Sequence, residues 1–295
     1  MNAHIPVYFQ RTPGAEREKR LSFAFIRKSW LHVLLFVLTA LSTLTLHGPW
    51  YAVGILSILF AHEMGHYLMC VRHGVKATLP FFLPGIYVPF LGWPSPFGTF
   101  GAVIRMRPPI RDRKALFDIG AAGPIAGFVV TLVCLVAGYR LSKVMDAATM
   151  PDAIRLGDSF LSSFVSRLTF GTISEGHDIL LHPLAFAGWV GLFVTGLNLI
   201  PIGQLDGGHV VYSVFGRKSR WIYAIALTGL MAVQLLVYPY WNVLIFLIVL
   251  IIFRHPPVVD EIQEIGAARR LLAVLCLLIF ALTFMPIPFI VDFSW

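Results

Sequence analysis

The sequence has 295 residues, of which 57% are hydrophobic and only 13% are charged, and its mean hydropathy is +0.78. Soluble domains are about a quarter charged, so this composition excludes a soluble globular fold, and the high aromatic content excludes intrinsic disorder. The three cysteines lie inside apolar runs, where they build neither a disulfide framework nor a cysteine-rich zinc cluster.

Seven apolar stretches approach the roughly 20 residues that a helix needs to cross the hydrocarbon core of a bilayer. No small-residue cleavage site follows the first stretch, so we expect a retained helix rather than a signal peptide. We therefore predict an all-α polytopic membrane protein with about six to seven transmembrane helices. The predicted helices span residues 30–46, 51–71, 116–138, 183–202, 221–237, 241–253 and 271–291.

The distribution of basic residues predicts the orientation of these helices. Placing the N-terminus in the cytoplasm puts all but four of the 23 Lys and Arg residues into cytoplasmic segments, as membrane proteins prefer. We expect a multi-pass protein of the cell (inner) membrane, with an external C-terminus and no nucleic-acid partner. We expect residues 1–29 to form a cytoplasmic tail and residues 30–295 to form a single transmembrane domain. The four external basic residues are Arg140, Lys143, Arg155 and Arg167.

Two connections between the predicted helices carry structure of their own. Residues 78–106 are apolar but rich in proline, which forbids a helix, so we expect a re-entrant segment that dips into the membrane against protein. Residues 98–106 within it read as a short strand. In the external connection, residues 158–168 have apolar positions at helical spacing, which predicts an amphipathic surface helix. Its polar face would hold Ser162, Ser163 and Ser166.

The second apolar stretch contains His62, Glu63 and His66, and burying each ionisable side chain there costs a few kcal/mol. On a helix, residues four apart lie one turn apart on nearly the same face, so both imidazoles can reach one metal ion. This pattern is typical of zinc hydrolases, in which the glutamate is the general base. The alternative is two hydrogen-bonded histidines and a glutamate that lines a cavity, which leaves the glutamate without a compensating charge.

A catalytic zinc site uses three protein ligands and one open position. Our candidate for the third ligand is Asp206, within the motif at residues 198–208. Pro201 and Gly203 interrupt a helix there, and irregular backbone at membrane depth is tolerated only where it lines a protein cavity. The predicted topology puts Asp206 and the two histidines at the same depth, on the cytoplasmic side.

Both motifs resemble those of the site-2 proteases, a family of intramembrane zinc metalloproteases. Residues 62–66 are similar to the family's first motif, and residues 198–208 are similar to its second, in which Asn and Pro precede Leu-Asp-Gly. The resemblance covers residues 51–210 and is to a compact form, since no PDZ or CBS domain is recognisable in this sequence. The glycine-rich segment 120–127 is similar to a recurrent family segment, for which we expect a packing role alone.

The resemblance implies that His62, His66 and Asp206 hold one zinc ion per chain. It further implies that Glu63 activates water and that Asn198 orients the substrate or stabilises the oxyanion. We therefore expect a zinc metalloendopeptidase that hydrolyses peptide bonds of single-span membrane proteins near the cytoplasmic side of the lipid bilayer, in regulated intramembrane proteolysis.

Two alternatives from other classes remain open. An HtpX-like or prenyl-protein-type membrane zinc protease takes a glutamate as its third ligand, and the nearest downstream acidic cluster is Asp260, Glu261 and Glu264. In a non-catalytic metal-binding transporter or scaffold, Glu63 would coordinate the metal or relay protons.

Several other polar residues are assigned structural roles. We expect His209 to support the ligands rather than bind the metal, and Cys70, one turn after His66, to stay away from it. Asp118 is predicted to cap the third helix, and His177 and His182 to meet water.

The strand-like segment also suggests how a helical substrate is opened. A peptide bond inside a transmembrane helix can be exposed only if its amides find replacement hydrogen bonds. We hypothesise that residues 100–106 add the unwound substrate as a further strand. The alternative is that this strand merely closes a hairpin under the helices.

Overall fold

A computed structural model describes residues 14–85, 95–106, 110–149, 155–237 and 264–290. The chain is mostly helical, and its short strands pair into two-stranded antiparallel sheets. The helices are α1 (Gly14–Arg72), α2 (Arg113–Leu141), α3 (Phe160–Phe170), α4 (Pro183–Asn198), α5 (Asp206–Phe215), α6 (Ser219–Val237) and α7 (Ala267–Thr283). The strands are β1 (Phe81–Pro84), β2 (Thr99–Val103), β3 (Lys143–Asp146), β4 (Arg155–Leu156), β5 (His177–Leu180) and β6 (Phe289–Ile290).

Helix α1 consists of two helical segments that meet at Gly48. The φ of Gly48 is 79°, a conformation that favours glycine, and Pro49 then begins the second segment. The break lies between the predicted helices at 30–46 and 51–71, as expected. Residues Trp30–Arg72 and helix α2 are long and apolar enough to cross a membrane, whereas the apolar helix α4 is shorter.

The second segment of α1, α2 and α4 form the central packing unit. Helix α2 runs antiparallel to α1, because Gly65 approaches Ala122 while Gly54 approaches Cys134. Small residues at these contacts let the backbones come close, which is how helices associate in lipid. The core between the three helices contains the fully buried side chains of Tyr51, Ile55, Leu135, Trp189 and Leu192.

Strands β1 and β2 form a hairpin that lies along the first segment of α1. Phe82 pairs with Ala102, and a bridge between Ala77 and Met106 extends the pairing at the open end of the hairpin. The Pro80 carbonyl is 3.0 Å from the His32 ring, and the Pro96 carbonyl is 2.7 Å from the His47 ring. These histidines are about 22 Å apart along an α-helix, so the hairpin follows most of that helical segment.

This hairpin confirms the predicted strand in a shorter form, since β2 covers residues 99–103 of the expected 98–106. Residues 86–94 and 107–109 lie outside the described residues, and with them Pro89 and Pro94 of the predicted re-entrant segment. Burial of the segment in a bilayer stays a prediction.

Helix α3 is present as expected, but its orientation differs from the prediction. Ser162 is buried and forms a capping box with Ser159, so the prediction that Ser162 lies on a solvated polar face is wrong. The outward face carries Phe160, Phe164 and Leu168 instead. Their i, i+4, i+8 spacing makes one apolar stripe on the helix.

Other corrections concern the ends of helices. Asp112, not Asp118, caps α2, because the Asp112 carboxylate accepts the N–H of Ala115 at 2.8 Å. His182, which we expected only to contact water, caps α4: its ring accepts the N–H of Leu184 at the start of that helix. The predicted helix at 271–291 is too long: α7 ends at Thr283, and β6 follows two prolines that cannot continue a helix. The predicted helix at 241–253 lies outside the described residues.

Candidate metal centre

His62 and His66 lie on the second segment of α1, one turn apart and facing the same side. Their Nε2 atoms are 3.1 Å apart, and both side chains are buried. The four-residue spacing thus brings the two rings together as the sequence predicts.

Asp206 completes a cluster of three side chains. Its Oδ2 atom lies 3.3 Å from Nε2 of His62 and 3.4 Å from Nε2 of His66. Asp206 is the first residue of α5 rather than part of an irregular stretch, which corrects the sequence prediction. The free N–H groups at a helix N-terminus favour a carboxylate at this position.

Two glycines explain how α5 reaches this place. Side-chain carbons on Gly207 and Gly208 would overlap backbone carbonyls of Leu199 and Gly203, respectively. Only residues without a side chain let the first turn of α5 pack so closely against the preceding loop, and Asp206 is thereby fixed beside the two rings.

The cluster has the dimensions of a zinc site. Its three ligand atoms lie within 4.8 Å of one another. Tetrahedral ligands with zinc bonds of about 2.1 Å are about 3.4 Å apart, which agrees with the observed separations between the two Nε2 atoms and Oδ2. Two imidazole nitrogens and one carboxylate oxygen are also donors that zinc commonly takes. Within the described ranges, no other trio of His, Cys, Asp or Glu side chains meets this description.

The ring of His66 is held from its second nitrogen. Its Nδ1 atom lies 2.7 Å from the backbone carbonyl of Ile119 in α2, a distance at which Nδ1–H donates a hydrogen bond. This bond leaves Nε2 free to face the cluster, which is the arrangement usual for metal-binding histidines.

The glycine-rich segment of α2 makes room for both rings. A side-chain carbon on Gly123 would overlap the His66 imidazole, and one on Gly127 would lie 3.1 Å from Cβ of His62. The prediction of a packing role alone is therefore incomplete. The sequence alone does not show that these glycines make room for the two rings, because tertiary structure decides which residues of α2 contact α1.

Glu63 and Asn198 flank the cluster without belonging to it. Glu63 is buried, and the backbone of Ile104, just after β2, lies near its carboxylate. Asn198 ends α4, and its Nδ2 atom is 3.4 Å from Nε2 of His62. Both side chains therefore border the space around the predicted ligands.

The other candidate ligands lie elsewhere. His209 is buried in α5 and Cys70 in α1, and neither joins the three-residue cluster. Glu264 is exposed and pairs with Arg270 at 3.0 Å, while Asp260 and Glu261 are outside the described residues. The described residues thus favour Asp206 over a glutamate as the third ligand.

Comparison with known proteins gives the family. The family model described as peptidase family M50 matches residues 50–238, which include all three clustered side chains. The chain belongs to peptidase family M50. Within the matched residues, the cluster supplies the donors that a zinc ion takes.

Curated relatives of this chain are named as zinc metalloproteases. It is 33% identical over 246 residues to a protein of Arabidopsis thaliana named "Probable zinc metalloprotease EGY1, chloroplastic", covering 80% of this chain and 42% of the relative. It is 34% identical to "Probable zinc metalloprotease EGY2, chloroplastic" of the same plant, covering 79% and 40%. The chain therefore spans about two fifths of the length of the curated relatives it matches.

Proposed function

We propose that this M50 peptidase is an intramembrane protease that hydrolyses peptide bonds of single-span membrane proteins near the cytoplasmic side of the bilayer. The observation that carries the proposal is the cluster of His62, His66 and Asp206, whose two histidines lie on an apolar helical segment of membrane-spanning length. A polar site at this depth serves a substrate that is itself in the membrane, because ionisable groups are costly there unless they have a function.

The depth of the cluster supports cleavage toward one side. His66 lies six residues before Arg72, which corresponds to about 9 Å along an α-helix. The segments that follow Arg72 and precede α2 are rich in basic residues, a composition typical of cytoplasmic connections. On this basis the N-terminus is cytoplasmic, and the metal cluster is nearer to the cytoplasm than to the external side.

The chemistry assigned to the residues follows from their placement. When bound, a zinc ion lowers the pKa of a coordinated water to about 7 and polarises the scissile carbonyl. His62, His66 and Asp206 would hold the ion. Glu63 accepts a proton from the attacking water and passes it to the leaving amine. Asn198, beside His62, donates its amide N–H to the substrate carbonyl as negative charge develops there.

The position of β2 supports a role in substrate binding. The strand ends at Val103, and the backbone of the next residue, Ile104, lies near Glu63, so the strand leads toward the proposed general base. Of the described strands, only β1 pairs with β2, which leaves the second edge of β2 without a strand partner in the described chain. An unwound substrate added at this edge would keep its amides hydrogen-bonded while one peptide bond lies next to Glu63.

The test is cleavage of a single-span reporter by the purified protein in lipid vesicles, with zinc content measured in the same preparation. We expect one zinc ion per chain, cleavage within the reporter's transmembrane segment, and loss of cleavage after chelation that returns when zinc is added back. A matched reporter with the same peptide sequence in a soluble linker should resist cleavage. Zinc-loaded protein that cleaves neither reporter would instead favour a transporter or scaffold.

A further inference from the structure

A carboxylate at one end of the helices is bound by two side chains from distant parts of the chain. Oδ1 of Asp118 accepts Nε–H of Arg269 at 2.8 Å, and Oδ2 accepts Nη2–H of the same guanidinium at 2.7 Å. Nε2 of His73 lies 2.8 Å from Oδ2. Two parallel bonds from one guanidinium fix both the distance and the plane of the pair, as a lysine could not.

The three residues join three helices, and we name them the three-helix clamp. His73 follows the end of α1, Asp118 lies in the second turn of α2, and Arg269 lies in the first turn of α7. All three side chains are partly buried. Beneath them, Phe117 of α2 and Ile265 before α7 belong to one buried apolar cluster. The clamp therefore fixes the start of α2 against α1 and α7.

The residue after Asp118 contacts a proposed zinc ligand. The backbone carbonyl of Ile119 accepts the Nδ1–H of His66 at 2.7 Å. The orientation of the His66 ring thus depends on where the first turns of α2 lie relative to α1, and the clamp sets this relation from both sides. A free Asp118 would let α2 shift and carry the Ile119 carbonyl away from Nδ1.

We propose that Asp118 and Arg269 are positioning residues for His66, acting through the Ile119 carbonyl. The inference rests on the proposed function in that it takes His66 as a zinc ligand. Partners of ligating histidines typically change metal affinity by about 10- to 100-fold when removed, and the clamp acts on such a partner. The competing view is that the ion pair only holds α7 against the other helices.

The neighbouring residue on α7 provides a matched control. Arg270 also pairs with a carboxylate, Glu264, at 3.0 Å, but both side chains are largely exposed and neither belongs to the metal cluster. Arg269→Gln and Arg270→Gln therefore remove the same charge from adjacent positions of one helix. Only the first breaks the clamp.

The experiment measures zinc affinity by competition with a chromophoric chelator, and the visible absorption spectrum of the cobalt-substituted protein. Asp118→Asn and Arg269→Gln should each weaken zinc binding by about tenfold or more and alter the cobalt spectrum. Arg270→Gln should change affinity by less than twofold. Combining Asp118→Asn with Arg269→Gln should weaken binding no further than the stronger single variant, because both act through one pair.

Arg269→Lys keeps the charge but loses the two-bond geometry, so its zinc affinity should fall between wild type and Arg269→Gln. It also serves as the readout if the Gln variant does not fold. Clamp variants that lose thermal stability while zinc affinity and the cobalt spectrum stay at wild-type values would overturn the inference and leave a purely structural clamp. If wild type binds no zinc, the proposed function fails first and this inference fails with it.

Discussion

The imidazole of His66 occupies the space into which a side chain on Gly123 would project. The two residues belong to different helices, α1 and α2, which run antiparallel through the centre of the molecule. A glycine at this position lets the α2 backbone approach the ring closely enough for the Ile119 carbonyl, one turn away, to accept the Nδ1–H of the same histidine. One stretch of α2 thus both leaves room for the His66 ring and fixes the orientation of that ring.

Gly123→Ala should therefore impair zinc binding. The added methyl overlaps the His66 ring, so the ring must move away from Asp206 or α2 must shift. We expect zinc affinity to fall by at least about tenfold, a loss typical for disturbed ligand support, and activity to fall with it. Chelator competition measures the affinity, and circular dichroism shows whether the helices remain.

Gly229→Ala is the control for this substitution. Gly229 lies in helix α6, and a side-chain carbon there would meet no atom within 4 Å. Because Ala favours a helix over Gly by up to about 1 kcal/mol, this variant should be as stable as wild type or more so, with zinc affinity unchanged. Normal zinc binding by the Gly123 variant would show that the ring can adapt without cost.

Glu63→Gln should retain zinc and lose turnover. The amide has the shape of the carboxylate but lacks the basic lone pair that takes a proton from water. Loss of a general base typically costs about 10²- to 10⁴-fold in rate. Metal analysis and reporter cleavage on one preparation decide the matter, and full activity would remove Glu63 from the proposed mechanism.

Asp206→Asn should lower zinc occupancy and activity together. A neutral amide is a poor zinc ligand, which reduces the site to two imidazoles. In an experimental structure with zinc, the Asp206 carboxylate should lie within about 2.2 Å of the metal. A metal-bound structure with this carboxylate more than roughly 5 Å away would transfer the role to another residue, with His209 and Cys70 the first to examine.

The three clustered side chains are easier to predict from the sequence than the helix packing and ion pairs around them. His62 and His66 lie together because helical geometry fixes residues four apart, which is local information. Asp206 joins them through the packing of α5 on its preceding loop, so its proximity was predicted from depth but its place in a helix was not. Asp118 resembles a helix cap in sequence, whereas its partner Arg269 is 151 residues away.

Patterns of hydrophobicity likewise predict a helix, but they do not predict which of its faces packs against the rest of the protein. The apolar spacing in residues 158–168 correctly predicts α3, but which face packs inward depends on neighbours. Ser162 is buried, and its hydroxyl accepts the N–H of the N-cap residue Ser159, while Phe164 faces outward. A short local pattern cannot show which face of α3 is buried, since residues on both faces suit an interface with lipid or protein.

The proposed topology predicts opposite labelling of residues on either side of the membrane span formed by α2. This helix has 29 residues, about 43 Å at 1.5 Å per residue, which exceeds the hydrocarbon core of roughly 30 Å. Single cysteines at Arg113 and Arg155 should react with impermeant reagents from the cytoplasmic and external side, respectively. Reaction of both positions from the same side of sealed vesicles would contradict the proposed span.

The last prediction concerns the edge of β2. Val103 ends this strand, directly before Ile104, whose backbone lies near Glu63, and about half of its surface is exposed. Val103→Pro removes one backbone N–H from the segment that we propose to bind the unwound substrate. The KM for a helical membrane substrate should rise severalfold, or cleavage should be lost, while zinc stays bound.

Val103→Ala separates the backbone effect from the side-chain effect, because alanine keeps the N–H and removes only apolar contact. Strand addition binds substrate mainly through main-chain hydrogen bonds, so the alanine variant should remain close to wild type in KM. Equal losses in both variants would point to a side-chain pocket rather than a strand edge. Unchanged cleavage of a helical substrate by Val103→Pro would show that β2 only closes its hairpin with β1, and that the amides of the substrate are satisfied elsewhere.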